Sequence, residues 1–199
     1  MLLKEVGLQL YSLREETEKD FCATVEKVAK MGYTGVEFAG YGGLKPAALA
    51  QLLKDNGLAA YGTHFGAVPK TDAELDAQIE MNLALGNPYL VCPWHDMKTR
   101  DDALRLAEIM NETAAKLKPH GLRLGYHNHA HEFAKDGDDT LMDVLMENTE
   151  KEIFAEFDVF WVAYAGYDPV EYIRKYAGRC PVVHLKDYVG VRGDTSPYG

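Results

Sequence analysis

The sequence predicts an α/β fold of the (β/α)8 barrel type, and three observations carry that expectation. Short apolar runs centred on Leu8, Val36, Ala60, Val91, Leu124, Ala155 and Val183 recur about 24 to 33 residues apart. Helical periodicity or helix-start signals fill the intervals, so the repeating unit is βα, whose connections are right-handed and whose strands are parallel and buried. A polar residue or tryptophan stands at the end of each run: Gln9, Glu37, His64, Trp94, His127, Asp158 and His184. A closed barrel gathers such ends into one mouth, where catalytic groups belong. The alternative is a doubly wound open sheet, which calls for a phosphate-cradling turn after an early strand. The loop Gly40-Tyr41-Gly42-Gly43 lacks the G-x-G-x-x-G spacing, and its glycines read as turn residues.

In chain order, Val6 to Tyr11 reads as the first strand, followed by a helix over Thr17 to Met31 that carries Phe21, Val25, Val28 and Ala29 on one face and ends at Gly32. Thr34 to Phe38 is the second strand, and Pro46 begins a helix that stops near Gly57. Leu58 to Thr63 forms the third strand, tipped by His64, and a helix over Thr71 to Leu85 leads through Gly86-Asn87-Pro88 into the fourth, Tyr89 to Cys92. Asp101 to Lys118 is helical, stopped by Pro119-His120-Gly121. The alternating Leu122, Leu124 and Tyr126 mark the fifth strand, and a helix over Thr140 to Glu147 follows. Ile153 to Phe157 is the sixth strand. Asp168 then caps a helix with Pro169 at its first position, and Pro181 to Leu185 is the seventh strand.

Composition bounds the function. With 199 residues, 47% hydrophobic and 26% charged, the chain reads as a single domain over 1–199 with a sizeable core. A net charge of −10 with scattered Lys and Arg disfavours a nucleic-acid partner, which needs clustered cations that release counterions. Endonuclease chemistry is disfavoured on the same ground. Cys22, Cys92 and Cys180 make no short metal-type pair, and an odd number argues against a disulfide framework. No apolar run approaches the ~20 residues of a membrane span, and the early charges at Lys4 and Glu5 interrupt any secretory core, so no membrane partner and a cytoplasmic location are expected.

The densest chemistry lies just past the fifth strand, where Tyr126-His127-Asn128-His129-Ala130-His131-Glu132-Phe133 crowds three histidines and a glutamate. A lone histidine is more often a core or surface residue than a ligand, but this density favours a divalent metal. Residues at i and i+2 of a strand point the same way, so His127 and His129 can share an ion, with Glu132 reaching back from the loop. The competing reading is that one ligates and the others form hydrogen bonds. Trp94 and Trp161 suit stacking on a ligand, and equally suit capping of an apolar mouth.

Five stretches carry a resemblance: Gly7 to Arg14, Gly32 to Phe38, Tyr126 to Phe133, Phe157 to Gly166 and Val183 to Asp187. Over essentially its whole length the chain resembles the xylose isomerase-like family of metal-dependent TIM-barrel sugar isomerases and epimerases. That resemblance implies one divalent ion, Mn²⁺, Mg²⁺, Co²⁺ or Zn²⁺, held by a Glu, an Asp, a His and a Glu from strands five to eight. Asp158 and His184 match the middle two. At the first position this chain carries His127, leaving His127, His129 or Glu132 as the ligand, with Glu132 favoured as the carboxylate from the loop. Glu37, His64 and Lys186 are expected to orient substrate or shuttle protons; as strand-end residues they read equally as solvated or salt-bridged groups. The implied chemistry removes a proton next to a carbonyl to give an enediolate. Isomerisation or epimerisation of a sugar follows from where the proton returns, and loss of a leaving group gives a lyase or dehydratase on a keto-sugar or inositol-like substrate. At ~29 residues per unit a full barrel needs roughly 230 residues. The 199 residues therefore read as C-terminally incomplete, lacking the eighth strand. An open barrel edge would favour oligomerisation, and a non-catalytic subunit of an assembly is the remaining alternative.

Overall fold

The computed structural model describes residues 5–187 except 67 and 70. Residues 1–4 and 188–199 lie outside the described residues. Contacts divide the chain into two compact units, Met1–Val91 with Leu117–Leu122, and Cys92–Lys116 with Arg123–Gly199.

The first unit contains β1 (Gly7–Gln9), α1 (Arg14–Lys19), α2 (Phe21–Lys30), β2 (Gly35–Phe38), α3 (Pro46–Asp55), β3 (Ala59–His64), α4 (Asp72–Leu85) and β4 (Tyr89–Cys92). β1 pairs with β2, β2 with β3 and β3 with β4, all parallel. Their inward side chains and the helix stripes bury Val25, Val28, Val36, Phe38, Leu49 and Leu53. The single helix expected over Thr17 to Met31 is broken at Asp20. That residue is extended (φ −156°, ψ 98°), and its carboxylate accepts the Ala23 N–H at 2.9 Å as the cap of α2. A capping aspartate offers the first turn a better partner than the helix interior can. The first strand is also shorter than expected, because Leu10–Leu13 turns into a 3-10 helix whose Tyr11 N–H donates to Gln9 Oε1 at 2.9 Å.

The second unit contains α5 (Arg100–Leu117), β5 (Arg123–His127), a two-stranded hairpin of β6 (Lys135–Asp136) and β7 (Asp139–Thr140), α6 (Leu141–Glu147), β8 (Phe154–Asp158), α7 (Val159–Tyr164), α8 (Pro169–Lys175) and β9 (Val183–His184). β5 pairs in parallel with β8 and β8 with β9. Within each unit the parallel strands follow the order of the chain. β5 runs one residue further than its apolar alternation suggested, so His127 is still in the ladder, opposite Glu156. Neither the hairpin nor α7 was foreseen. α7 starts directly on Asp158, whose Oδ1 accepts the Trp161 N–H at 3.2 Å.

At the other end of β8, Arg179 donates to the carbonyls of Met146 (2.8 Å), Glu150 (3.1 Å) and Ile153 (2.8 Å), closing the end of α6 on the start of the strand. α6 is anchored to α8 through Asp143, which is 6% exposed. Its carboxylate accepts from Lys175 Nζ and Tyr176 Oη, each at 2.8 Å. Burial alone would raise this carboxyl, but Lys175, Tyr176 and Thr140 outweigh it and hold Asp143 below the usual range. A depressed carboxylate contributes stability that is present above the unfolded-state value near 3.9 and lost as pH falls through the lower folded value. Asp143→Asn is expected to cost about 1–3 kcal/mol at pH 7 in urea unfolding, with the gap to the unsubstituted protein narrowing below about pH 4. A gap independent of pH would show that the charge is not what is being lost.

Candidate metal centre

The strand register of the second unit brings the chemistry together. Residues opposite one another in a parallel pair present side chains on the same face about 4.8 Å apart, and i and i+2 share a face. His127 stands opposite Glu156, and Asp158 opposite His184. His127 Nε2 consequently lies 3.7 Å from Asp158 Oδ2, and His184 Nδ1 lies 4.0 Å from the same oxygen. These separations are longer than hydrogen bonds. The two imidazoles face each other with centroids 4.7 Å apart. One ligand atom from each of His127, Asp158 and His184 falls within a mutual 4.8 Å. Ligand atoms on one ion with bonds of about 2.0–2.2 Å stand roughly 3–4 Å from one another, so the set fits a divalent cation with small rotations.

The two oxygens of Asp158 divide the work. Oδ1 is committed to the first turn of α7, which leaves Oδ2 facing the imidazoles. Its backbone N–H donates to Asn128 Oδ1 at 3.1 Å, tying β8 to the loop after β5. Asp158 is 3% exposed. Burial raises its carboxyl, yet the His127 imidazole, the Trp161 N–H and His184 together hold it below the ordinary aspartate range. It is therefore ionised at neutral pH and able to ligate. Glu156, fully buried, approaches His184 Nε2 at 3.4 Å. A carboxylate on one ring nitrogen favours the proton there and leaves the other nitrogen's lone pair for a metal. Here that other nitrogen is Nδ1, on the Asp158 side.

Glu132 and His129 do not join this group of three. Glu132 is fully buried: Oε1 accepts from Tyr126 Oη at 2.8 Å, and Oε2 accepts the His129 N–H at 2.9 Å with His131 Nδ1 at 3.3 Å. Burial raises its carboxyl, opposed by His131, Tyr126 and the His129 N–H. The carboxylate thus locks the loop that carries the histidines. His131 extends the lock through Nε2, which meets the His95 carbonyl at 2.9 Å. His129 is driven down to about 3 by burial and by the neighbouring His127 and His131, so it is a neutral imidazole at pH 7. Lys186 lies over the rings of Phe160 (4.4 Å) and Trp161 (4.8 Å).

In the first unit Glu37, 5% exposed, accepts from Gln9 Nε2 at 3.0 Å on one oxygen and has His64 Nε2 at 3.5 Å on the other. Gly62 on β3 makes room for it: a Cβ there would meet Glu37 Oε1 at 2.5 Å. The structure therefore pairs two of the three expected proton-handling residues. Sequence reasoning passed over Glu156, Asn128 and Tyr126. Glu156 was detectable as a carboxylate inside the apolar run Phe154 to Phe157, two residues before Asp158 and hence on its face.

The sequence profile described as xylose isomerase-like TIM barrel matches residues 25–197. An inosose dehydratase of Clostridium perfringens is 37% identical over 84 residues, 41% of this chain and 27% of the relative. One from Geobacillus kaustophilus is 40% identical over 68 residues, 34% of this chain and 21% of the relative. The matched stretch thus spans about a quarter of these curated relatives. The crystal structure of a sugar phosphate isomerase/epimerase from Parabacteroides distasonis superposes with a TM-score of 0.81 at 26% identity, covering 94% of this chain and 76% of that one. With a match that runs over 25–197 of its 199 residues, the chain belongs to the xylose isomerase-like TIM barrel family.

Proposed function

We propose that the chain is part of a metal-dependent enzyme that removes a proton next to the carbonyl of a sugar or cyclitol, as an isomerase or epimerase. The observation that carries this reading is the convergence of His127, Asp158 and His184 on one ion-sized space. Mn²⁺, Mg²⁺, Co²⁺ and Zn²⁺ all suit a site of two imidazoles and a carboxylate. A bound divalent ion supplies Lewis-acid polarisation of a substrate carbonyl and its neighbouring hydroxyl. Asp158 contributes the charge, Glu156 orients His184, and Glu132 holds the loop that sets His127 and His129. Glu37 with His64 in the first unit, and Lys186 in the second, are the groups proposed to move protons or orient substrate. The inosose dehydratase matches favour a second outcome of the same chemistry, in which a β-hydroxyl leaves and the enzyme is a lyase.

Calorimetric titration with Mn²⁺ is expected to show one site per protein molecule. Asp158→Ala and His184→Ala should abolish it, while Glu156→Gln should weaken it by about 10- to 100-fold, as loss of an orienting carboxylate does. If Glu132→Gln costs as much as Asp158→Ala, the loop carboxylate is a ligand instead. The chemistry itself is followed by NMR, with Mn²⁺ present, as exchange of the α-proton of an inosose or of fructose with solvent deuterium. Exchange that persists in Asp158→Ala and His184→Ala would contradict the metal-assisted reading.

A further inference from the structure

Where β2 meets β3 the register slips by one residue. Val36 stands opposite Ala60 and Glu37 opposite Gly62, so Tyr61 is the extra residue of a bulge. Bulges re-aim side chains, and this one changes what Glu37 faces, because in an unbroken ladder the residue opposite it would be Tyr61. The Tyr61 ring lies instead over the first residues of β1 and β2. A Cβ at Gly7 would stand 2.6 Å from that ring and one at Gly35 2.5 Å, and the Tyr61 hydroxyl pairs with Thr34 Oγ1 at 2.9 Å. Gly62 then leaves the space beside Glu37 open. Its φ lies outside the left-handed region, so the backbone at 62 admits a side chain. The three heavy atoms nearest a Cβ built there all belong to Glu37, with Oε1 at 2.5 Å. What requires a glycine at 62 is the carboxylate.

Gln9 fixes the other oxygen. Its Oε1 accepts the Tyr11 N–H at 2.9 Å, which sets the orientation of the amide and turns Nε2–H toward Glu37 Oε2 at 3.0 Å. Any acceptor of the right reach would cap Tyr11; the donor to Glu37 is what a glutamine adds. Glu37 Oε1 is thereby held on the His64 side, with His64 Nε2 at 3.5 Å, in a residue only 5% exposed. We propose that Gln9 and Gly62 are positioning residues that hold Glu37 Oε1 in the orientation from which it takes the substrate α-proton. In that step the C–H bond breaks, an O–H bond forms on Oε1, and the electron pair moves onto the substrate carbonyl oxygen. This rests on the proton-transfer reading of Glu37 above and adds the two residues that set its geometry. A base must lie within hydrogen-bond reach of its proton, so a carboxylate turned aside loses rate rather than substrate affinity.

Three variants separate this role from a structural one. Gln9→Glu keeps an acceptor for the Tyr11 N–H and removes the donor to Glu37, Gln9→Met removes both, and Gly62→Ala displaces Oε1 from the opposite side. Crystal structures of Gln9→Met and Gly62→Ala should show Glu37 Oε1 moved by about 1 Å or more on an unchanged backbone over β1, β2 and β3. With Mn²⁺ present, exchange of the α-proton of an inosose or of fructose with solvent deuterium should fall about ten- to hundredfold in kcat in all three, with KM within about twofold. Glu37→Gln should lose at least about a hundredfold. Full exchange in Gln9→Glu would reduce Gln9 to a cap for Tyr11. That result, an unmoved Glu37 in Gly62→Ala, or a loss confined to KM overturns the proposal, while a deficient Glu37→Gln leaves the proton-transfer reading standing. Undiminished exchange in Glu37→Gln, or no exchange by the unsubstituted protein, overturns both.

Discussion

Burying a carboxylate at the end of a parallel strand is the constraint around which the second unit is arranged. Asp158 is almost fully enclosed, and an ionised group there is tolerated only if its oxygens meet hydrogen-bond donors or a cation. One oxygen takes the amide end of α7 and the other faces two imidazoles. That requirement dictates the local chain path, because the helix must begin on the residue that ends the strand. It also dictates the neighbours, because only β5 and β9 can deliver His127 and His184 to the same face in register.

Holding those groups still is the task of a second set of buried polar residues. Asn128 ties the loop after β5 to the Asp158 backbone, and Glu132 accepts from Tyr126 and His129 while contacting His131. At the opposite end of β8 the Arg179 guanidinium ties Met146, Glu150 and Ile153 to one point, and Asp143 pins α6 to α8. The strand that carries the key carboxylate is therefore braced at both ends. Such division, with stability at one end of the strands and chemistry at the other, is the economy of βα barrels. No described helix is long and apolar enough to cross a membrane.

The fold was legible because parallel strands buried on both faces leave a simple trace: apolar runs at a steady interval, each ending in a polar side chain. Asp158, His184 and His127 stood out for the same reason. What escaped were features set by partners distant in sequence or by single caps. Asp20 divides an otherwise unbroken helical pattern with one side-chain hydrogen bond. α7 hides in Val159 to Tyr164, an apolar run that periodicity alone does not separate from the strand before it. Spacing shows that the Glu132 carboxylate can reach back toward the strand end, while only packing reveals that Tyr126 and the His129 amide donate to its oxygens. Glu156 went unread because its meaning depends on His184, which lies one βα unit away.

The central claim is that His127, Asp158 and His184 hold one divalent ion. Crystals grown with Mn²⁺ and measured for anomalous scattering test it without reference to any substrate. The account predicts a single strong peak about 2.0–2.3 Å from Asp158 Oδ2, His127 Nε2 and His184 Nδ1, with Glu132 remaining on Tyr126 and the His129 amide. A peak seated on Glu132 and His131, or none at saturating Mn²⁺, would contradict it.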